Sequence, residues 1–202
     1  MAGLAVNRRL KRRGFLQLLA ALALAPGSAM ASTPEDFVQI VAGDIMALAS
    51  SGLGKKPMRA KFNSVINKYA DVRQISMRAL GTFQKDLKPG DKDDFIKLSL
   101  AYVSAFFVYY AEEFQGAVFE VKSTSEQGKF ITIAGEVRTR DGDTSPVRWR
   151  LVPSGDGYRL YDVNVRGVWL SIALKDRYTD ILKHSKGSFE PLFAELRSAE
   201  DW

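Results

Sequence analysis

The order of the secondary-structure patterns limits the fold of this chain more than any other feature. Helical periodicity covers residues 33–114, strand patterns cover residues 117–166, and helical periodicity returns over residues 168–197. Blocks of helices and strands that do not alternate are typical of α+β proteins, in which helices pack on an antiparallel sheet. The sequence therefore predicts an α+β fold with a four-stranded antiparallel sheet.

The strand block divides at turns rich in Gly, Asp and Ser. The four predicted strands cover residues 118–122, 130–139, 147–152 and 158–165. In the third strand, Val147, Trp149 and Leu151 alternate with arginines, and in the fourth, Val163 and Val165 alternate with polar residues. Such alternation predicts one apolar face and one solvated face. A curved sheet of this kind, backed by helices, can enclose a hollow.

The helix predicted from Asp91 to about Phe114 is unusually apolar in its second half. Between positions 101 and 111, Ser104 supplies the only side chain that is neither apolar nor aromatic. A helix that is apolar around most of its surface needs cover on more than one side. Two interpretations remain open: a central helix of a compact core, or a helix with one flank on a cavity.

The N-terminal segment has the pattern of an export signal. Arg8 to Arg13 are mostly basic, an apolar run follows from Phe15 to about Ala25, and Ala29 to Ala31 resemble a cleavage site. The apolar run is shorter than the ~20 residues that span a bilayer. Residues 12–16 (RRGFL) resemble a twin-arginine signal, with the general export pathway as the alternative. We expect residues 1–31 to be removed, leaving one domain, residues 32–202, in the periplasm.

The charge of the mature chain argues against nucleic-acid binding. Of the 29 Lys and Arg residues, five lie before Ala31, so 24 remain against 23 Asp and Glu. The net charge then falls to about +1, whereas affinity for the phosphate backbone needs an excess of basic charge. The chain has no Cys, which excludes disulfides and thiolate chemistry.

Residues suited to catalysis are few. One His and no Cys exclude the common zinc sites, and the known phosphate-loop and nucleophile motifs are missing from the sequence. We therefore expect neither a metal nor a cofactor. Asp162 lies in the fourth strand, where its register predicts a solvent-facing carboxylate. A structural ion pair with a partner such as Arg150 or Arg177, or a turn contact, is the alternative to simple exposure. Catalysis by Asp162 is the other alternative.

Apolar and aromatic side chains are instead plentiful, and a void between the sheet and the helices would suit an acyl chain. Each buried methylene contributes about 0.8 kcal/mol, so a closed apolar cavity can hold a lipid in water. For each candidate residue the alternative is ordinary core packing. The candidate cavity-lining residues are Tyr102, Phe106, Tyr110, Trp149, Leu151, Val163, Val165, Trp169 and Ile172.

Several motifs resemble the MlaC family of periplasmic phospholipid-binding proteins, also called toluene-tolerance proteins. They are FFVYY with FQG at residues 106–116, VRWRL at 147–151, and YRLYDVNVRG at 158–167, followed by Leu170 and Arg177. Together they extend over nearly the whole mature chain. One departure is Trp169, where the family often has Ser. It points to a sub-branch such as the hopanoid-associated members and leaves the identity of the lipid open.

The resemblance implies an NTF2-like fold with a phospholipid held between sheet and helices. It also implies that the protein shuttles lipid between an outer-membrane lipoprotein complex and an inner-membrane ABC transporter, and we expect a monomer. Two other functions stay open. A small-molecule enzyme on the same kind of fold would need Asp162 in the cavity, and a non-enzymatic adaptor would need an exposed apolar patch and no bound lipid.

Overall fold

The computed structural model describes residues 33–202, which form six α-helices and one five-stranded sheet. The predicted export signal lies outside the described residues. The helices are α1 (Pro34–Ala49), α2 (Lys55–Tyr69), α3 (Val72–Ala79), α4 (Lys92–Tyr110), α5 (Leu170–His184) and α6 (Glu190–Ser198). The strands are β1 (Val118–Gln127), β2 (Phe130–Arg138), β3 (Thr144–Ser154), β4 (Gly157–Val165) and β5 (Val168–Trp169). Short 3₁₀ helices follow α3, α4 and α6 and precede α4.

The sheet is an antiparallel meander in the order β1-β2-β3-β4-β5, so the predicted α+β class is confirmed. The prediction of four strands is wrong by one, because the two residues of β5 are too few to show alternation. The first hairpin is also longer than predicted. Residues 123–127 continue β1, and Gln127 pairs with Phe130 across a two-residue turn. These residues are polar and exposed, so backbone pairing holds them in the sheet, and the Thr124 hydroxyl also donates a hydrogen bond to the Glu35 carboxylate of α1.

Local signals place the first helix against the sheet. Thr33 caps α1 by accepting a hydrogen bond from the Asp36 backbone N at 3.1 Å, and the Asp36 carboxylate accepts one from the Thr33 backbone N at 3.2 Å. This reciprocal pair satisfies two amides that the helix itself leaves unpaired. Val38 and Val41 of α1 are fully buried in one core with the sheet residue Ile133.

A second core lies among the helices alone. It joins Phe95 of α4 to Tyr178 of α5, whose ring centroids lie 5.9 Å apart in an edge-on contact, and to Leu192 of α6. The Tyr178 hydroxyl lies 3.1 Å from the Ser99 Oγ, and burial raises the pKa of Tyr178. Because α4 packs in this second core, its other flank remains available to face the sheet.

A β-bulge in β1 leaves no room for a side chain opposite it. The register shifts between Val121 and Ser123, and Gly135 of β2 lies beside the shift. A Cβ on Gly135 would overlap the Glu120 carbonyl oxygen and approach the Phe119 ring to 2.6 Å. Bulges bring backbones into such close approach, and glycine is the residue that fits there.

We predict that Gly135→Ala destabilises the protein by about 3 kcal/mol, because the added methyl group overlaps backbone that cannot move freely. Gly43 provides the matched control, since it lies on the exposed face of α1 and an added Cβ would have nothing within 4 Å. Gly43→Ala should stabilise the protein by about 0.5–1 kcal/mol through helix propensity. Urea unfolding followed by circular dichroism measures both, and equal effects of the two substitutions would contradict the packing at Gly135.

Candidate functional site

A cavity of about 700 Å³ lies between the apolar face of the sheet and helices α1 to α5. This volume is within the range of small-molecule binding sites, roughly 300–1,000 Å³. Its wall consists mainly of aliphatic and aromatic side chains. They include Phe62 and Ile66 of α2, Val72 and Ile75 of α3, Leu100, Val103, Phe106, Phe107 and Tyr110 of α4, Val147 and Trp149 of β3, Leu160 and Val163 of β4, and Leu170 and Leu174 of α5.

The cavity opens to solvent. Some lining residues are exposed, and they come from two places, the last turns of α4 and the turn between β4 and β5. Phe106 and Tyr110 belong to α4, and Val165 and Val168 flank the turn. Apolar side chains of this size are normally buried, so their exposure marks the mouth through which a ligand would enter.

The structure places five of the nine candidate lining residues at the cavity wall: Phe106, Tyr110, Trp149, Val163 and Val165. The strand residues share one face of the sheet, because Trp149 pairs directly with Val163. The Trp149 indole nitrogen is buried and has no hydrogen-bond acceptor among residues 33–202. That these residues contact a bound lipid stays a prediction.

The other four candidates do not line this cavity, and each has a different reason. Tyr102 is turned into the helical core, 6.3 Å from the Tyr178 ring between centroids. Leu151 lies on the same face of β3 as Trp149 but is fully buried in the core that the sheet forms with α1. The Trp169 ring stacks under the Arg150 guanidinium at 3.9 Å.

Ile172 is the fourth. It lies on the outer surface of α5, where 52% of it is exposed. The side of α5 that faces the cavity passes through Leu170, Ala173 and Leu174. Ile172 is two residues from both leucines, so it points away from that side.

Several lining residues are not among the sequence candidates. On α4, Val103 and Phe107 lie at helical spacing with Phe106 and Tyr110, so the helical period could have found them. Ile66 of α2 belongs to an apolar helical face, but no local signal indicates that this face meets the sheet across a gap.

Asp162 is buried, so its predicted exposure to solvent is wrong. It is 5% exposed and accepts three hydrogen bonds: from the Ser171 Oγ at 2.5 Å, the Ser171 backbone N at 3.1 Å and the Val163 backbone N at 2.9 Å. Trp169, the N-cap residue of α5, makes no side-chain capping bond. The Asp162 carboxylate supplies that cap from the neighbouring strand, where it also benefits from the positive end of the helix dipole.

The two predicted partners of Asp162 make other interactions. Arg150 stacks on Trp169, and Arg177 pairs with Glu195 at 2.5 Å. That ion pair raises the pKa of Arg177, and burial raises the pKa of the neighbouring Tyr102. The hydrogen bonds of Asp162 are thus those of a structural carboxylate.

Among residues 33–202, no group of three or more His, Cys, Asp or Glu side chains could hold a metal ion. His184 is exposed at the end of α5, where its Nδ1 lies 2.9 Å from the Asp180 carbonyl oxygen. Within the same range, no helix is both long enough and apolar enough to cross a bilayer.

Comparison with known proteins agrees with this architecture. The family model described as MlaC protein matches residues 41–198. No curated protein matches the chain significantly. Among solved structures, the chain is similar to a phospholipid-binding protein from Ralstonia solanacearum in complex with a phospholipid, with a TM-score of 0.71 and 17% sequence identity. The similarity covers 81% of this chain and 94% of that one.

We predict that Asp162→Asn destabilises the protein by about 2 kcal/mol, because an amide cannot accept from both Ser171 groups as a carboxylate does. Ser171→Ala removes a single hydroxyl donor and should cost about 1 kcal/mol. Urea unfolding of both variants provides the measurement. If Asp162→Asn left the free energy of unfolding unchanged, the carboxylate would not be a structural cap.

Proposed function

This chain belongs to the MlaC protein family, and we propose that it is a periplasmic carrier that binds the acyl chains of a phospholipid in its cavity. The observation that carries the proposal is an apolar cavity of about 700 Å³ with an open, aromatic-rich mouth. Such a cavity offers acyl chains a surface free of water and leaves a polar head group outside. The Ralstonia solanacearum neighbour, a phospholipid-binding protein in complex with a phospholipid, supports the same ligand class.

The physical need for such a cavity follows from the cargo. Two acyl chains contain about 30 methylenes, and at about 0.8 kcal/mol each, roughly 20 kcal/mol opposes their transfer into water. A carrier must replace water around most of that surface. The lining side chains from α2, α4, β3 and β4 provide carbon on several sides of the space, which is what this replacement requires.

The carrier shuttles lipid between an outer-membrane lipoprotein complex and an inner-membrane ABC transporter, as the family assignment suggests. It reaches the periplasm through the export signal predicted in residues 1–31 and acts there as a monomer without a cofactor. The phospholipid cargo is the only ligand that the carrier needs.

The structural role of Asp162 favours a carrier over an enzyme. An acid or base at work in the cavity would need a carboxylate available to a substrate, and the three hydrogen bonds to Asp162 already occupy both of its oxygens. Glu113 and Arg166 are the other charged lining residues, and both are exposed at the surface. Among the lining residues, all of which belong to the described range, neither a second carboxylate nor a histidine accompanies Asp162 inside the cavity.

The adaptor function is favoured by one observation, the exposed aromatic cluster at the end of α4. Phe106 and Tyr110 stack at 6.4 Å, and Tyr109 contacts Tyr110 at 4.9 Å between ring centroids. In an adaptor this cluster would hold a protein partner, and the cavity behind it would stay empty. The carrier function explains both the cluster and the cavity, because the cluster lies at the entrance.

We predict that Val163→Trp lowers phospholipid transfer at least tenfold. Val163 lines the cavity from β4, and an indole there would displace about three methylenes of cargo at ~0.8 kcal/mol each, where 1.4 kcal/mol is tenfold in affinity. The assay follows radiolabelled phospholipid moving from donor to acceptor vesicles in the presence of purified protein.

Val118→Trp is the matched control, because Val118 is exposed on β1 and does not line the cavity. It should transfer lipid at the wild-type rate. The carrier function would be wrong if the wild-type protein did not accelerate transfer, and the assignment of the cavity would be wrong if the two Trp variants transferred lipid equally well.

A further inference from the structure

The turn between β4 and β5 has an unusual residue in a left-handed conformation. Val165 pairs with Val168, which leaves a two-residue turn of Arg166 and Gly167. Both have positive φ angles, 51° and 90°. This turn type favours Asn-Gly, and a long side chain with a Cβ is disfavoured at its first position. Strained residues of this kind cluster at ligand-binding sites, so Arg166 invites a functional explanation.

Arg166 lies at the mouth of the cavity. Val165 and Val168, which flank the turn, are exposed lining residues. Arg166 also lines the cavity and is exposed. It is the only Lys or Arg among the lining residues, all of which belong to the described part of the chain. The mouth of an apolar cavity therefore carries a single cation.

The fold holds this cation in place from three sides. The Arg166 backbone N donates to the Pro146 carbonyl oxygen at 3.1 Å, and the Gly167 backbone N donates to the Asn164 Oδ1 at 3.1 Å. The Arg166 Nε donates to the Ser145 Oγ, also at 3.1 Å. These bonds fix the turn and one edge of the guanidinium.

The two terminal nitrogens of that guanidinium have no partner among residues 33–202. The remaining charged lining residues are Asp162 and Glu113. Asp162 accepts from Ser171 and Val163, and within the described range no ion pair joins Glu113 to Arg166. Arg166 thus presents an oriented pair of donors that the described protein does not use. A planar guanidinium with free donors matches the oxygens of a phosphate.

We propose that Arg166 binds the phosphate of the phospholipid head group while the acyl chains fill the cavity behind it. The inference rests on the proposed function, and it adds the ligand class: a lipid that carries a phosphate directly next to its acyl-bearing glycerol. The phosphate lies at the mouth, where its charge stays partly hydrated. Its contact with the Arg166 guanidinium sets how deeply the lipid enters the cavity. The strained turn directs the Arg166 guanidinium toward the mouth of the cavity.

The test compares two lipids with identical acyl chains. Purified protein is incubated with phosphatidylcholine vesicles that contain a known fraction of the matching diacylglycerol, and native mass spectrometry measures the ratio of the two bound lipids. The variants are Arg166→Gln, which removes the charge, Arg166→Lys, which keeps charge without the fork, and the control Arg148→Gln. Arg148 is an exposed arginine of β3 that does not line the cavity.

We expect Arg166→Gln to lower the ratio of phosphatidylcholine to diacylglycerol about tenfold relative to wild type, the size of one charge-assisted contact. Arg166→Lys should keep part of the preference, and Arg148→Gln should keep all of it. Raising the salt concentration should lower the ratio for the wild type and leave it unchanged for Arg166→Gln, because salt screens an exposed ion pair. Thermal unfolding checks that the variants are folded.

An unchanged ratio in folded Arg166→Gln would overturn the proposal while leaving the carrier function intact, since both lipids would still bind. A wild-type protein that holds neither lipid would contradict the carrier function itself. Inorganic phosphate in place of vesicles distinguishes the source of the phosphate: binding that Arg166→Gln abolishes, at the affinity seen for lipid, would assign Arg166 to free phosphate and overturn its assignment to the head group.

Discussion

The structure depends on how the nearly all-apolar second half of α4 is covered. One flank packs in the helical core, where Phe95 contacts the Tyr178 ring, and the end of the helix stacks Phe107 on Phe62 of α2 at 4.3 Å. These contacts hold α4 away from the sheet and leave its remaining flank facing the strands across a gap. A helix with apolar residues on nearly every side needs cover on more than one side, and here one flank faces the cavity. The cavity is thus a consequence of the packing of one helix.

The sheet contributes the opposite wall and also fixes the helix that closes the site. Asp162 directly precedes Val163 along β4 and caps α5 through Ser171. The same strand continues through Val163 and Val165 on the cavity wall to the turn at Arg166. One short segment of β4 therefore links the position of α5, the apolar wall and the charged mouth.

The sequence predicts the elements of this fold better than it predicts the site. Periodicity and capping residues such as Thr33 are local signals, and they locate helices and strands to within a few residues, except where polar residues continue β1. Lining the cavity is a property of the tertiary structure. Trp149 and Val163 follow from alternation on one face, but Leu151 on that same face packs in the core, and Tyr102 turns toward Tyr178 because α4 has two apolar flanks. Asp162 shows the same limit, since only the fold brings Ser171 to its carboxylate.

The central claim is that this cavity holds acyl chains in the protein as it exists in the periplasm. Native mass spectrometry of protein purified from that compartment without detergent tests it most directly. If the cavity holds acyl chains, the protein carries an adduct with the mass of a phospholipid, which is released as intact lipid when the protein is denatured. A protein of bare polypeptide mass that also takes up no lipid from vesicles would contradict lipid binding and would leave the cavity without its proposed occupant.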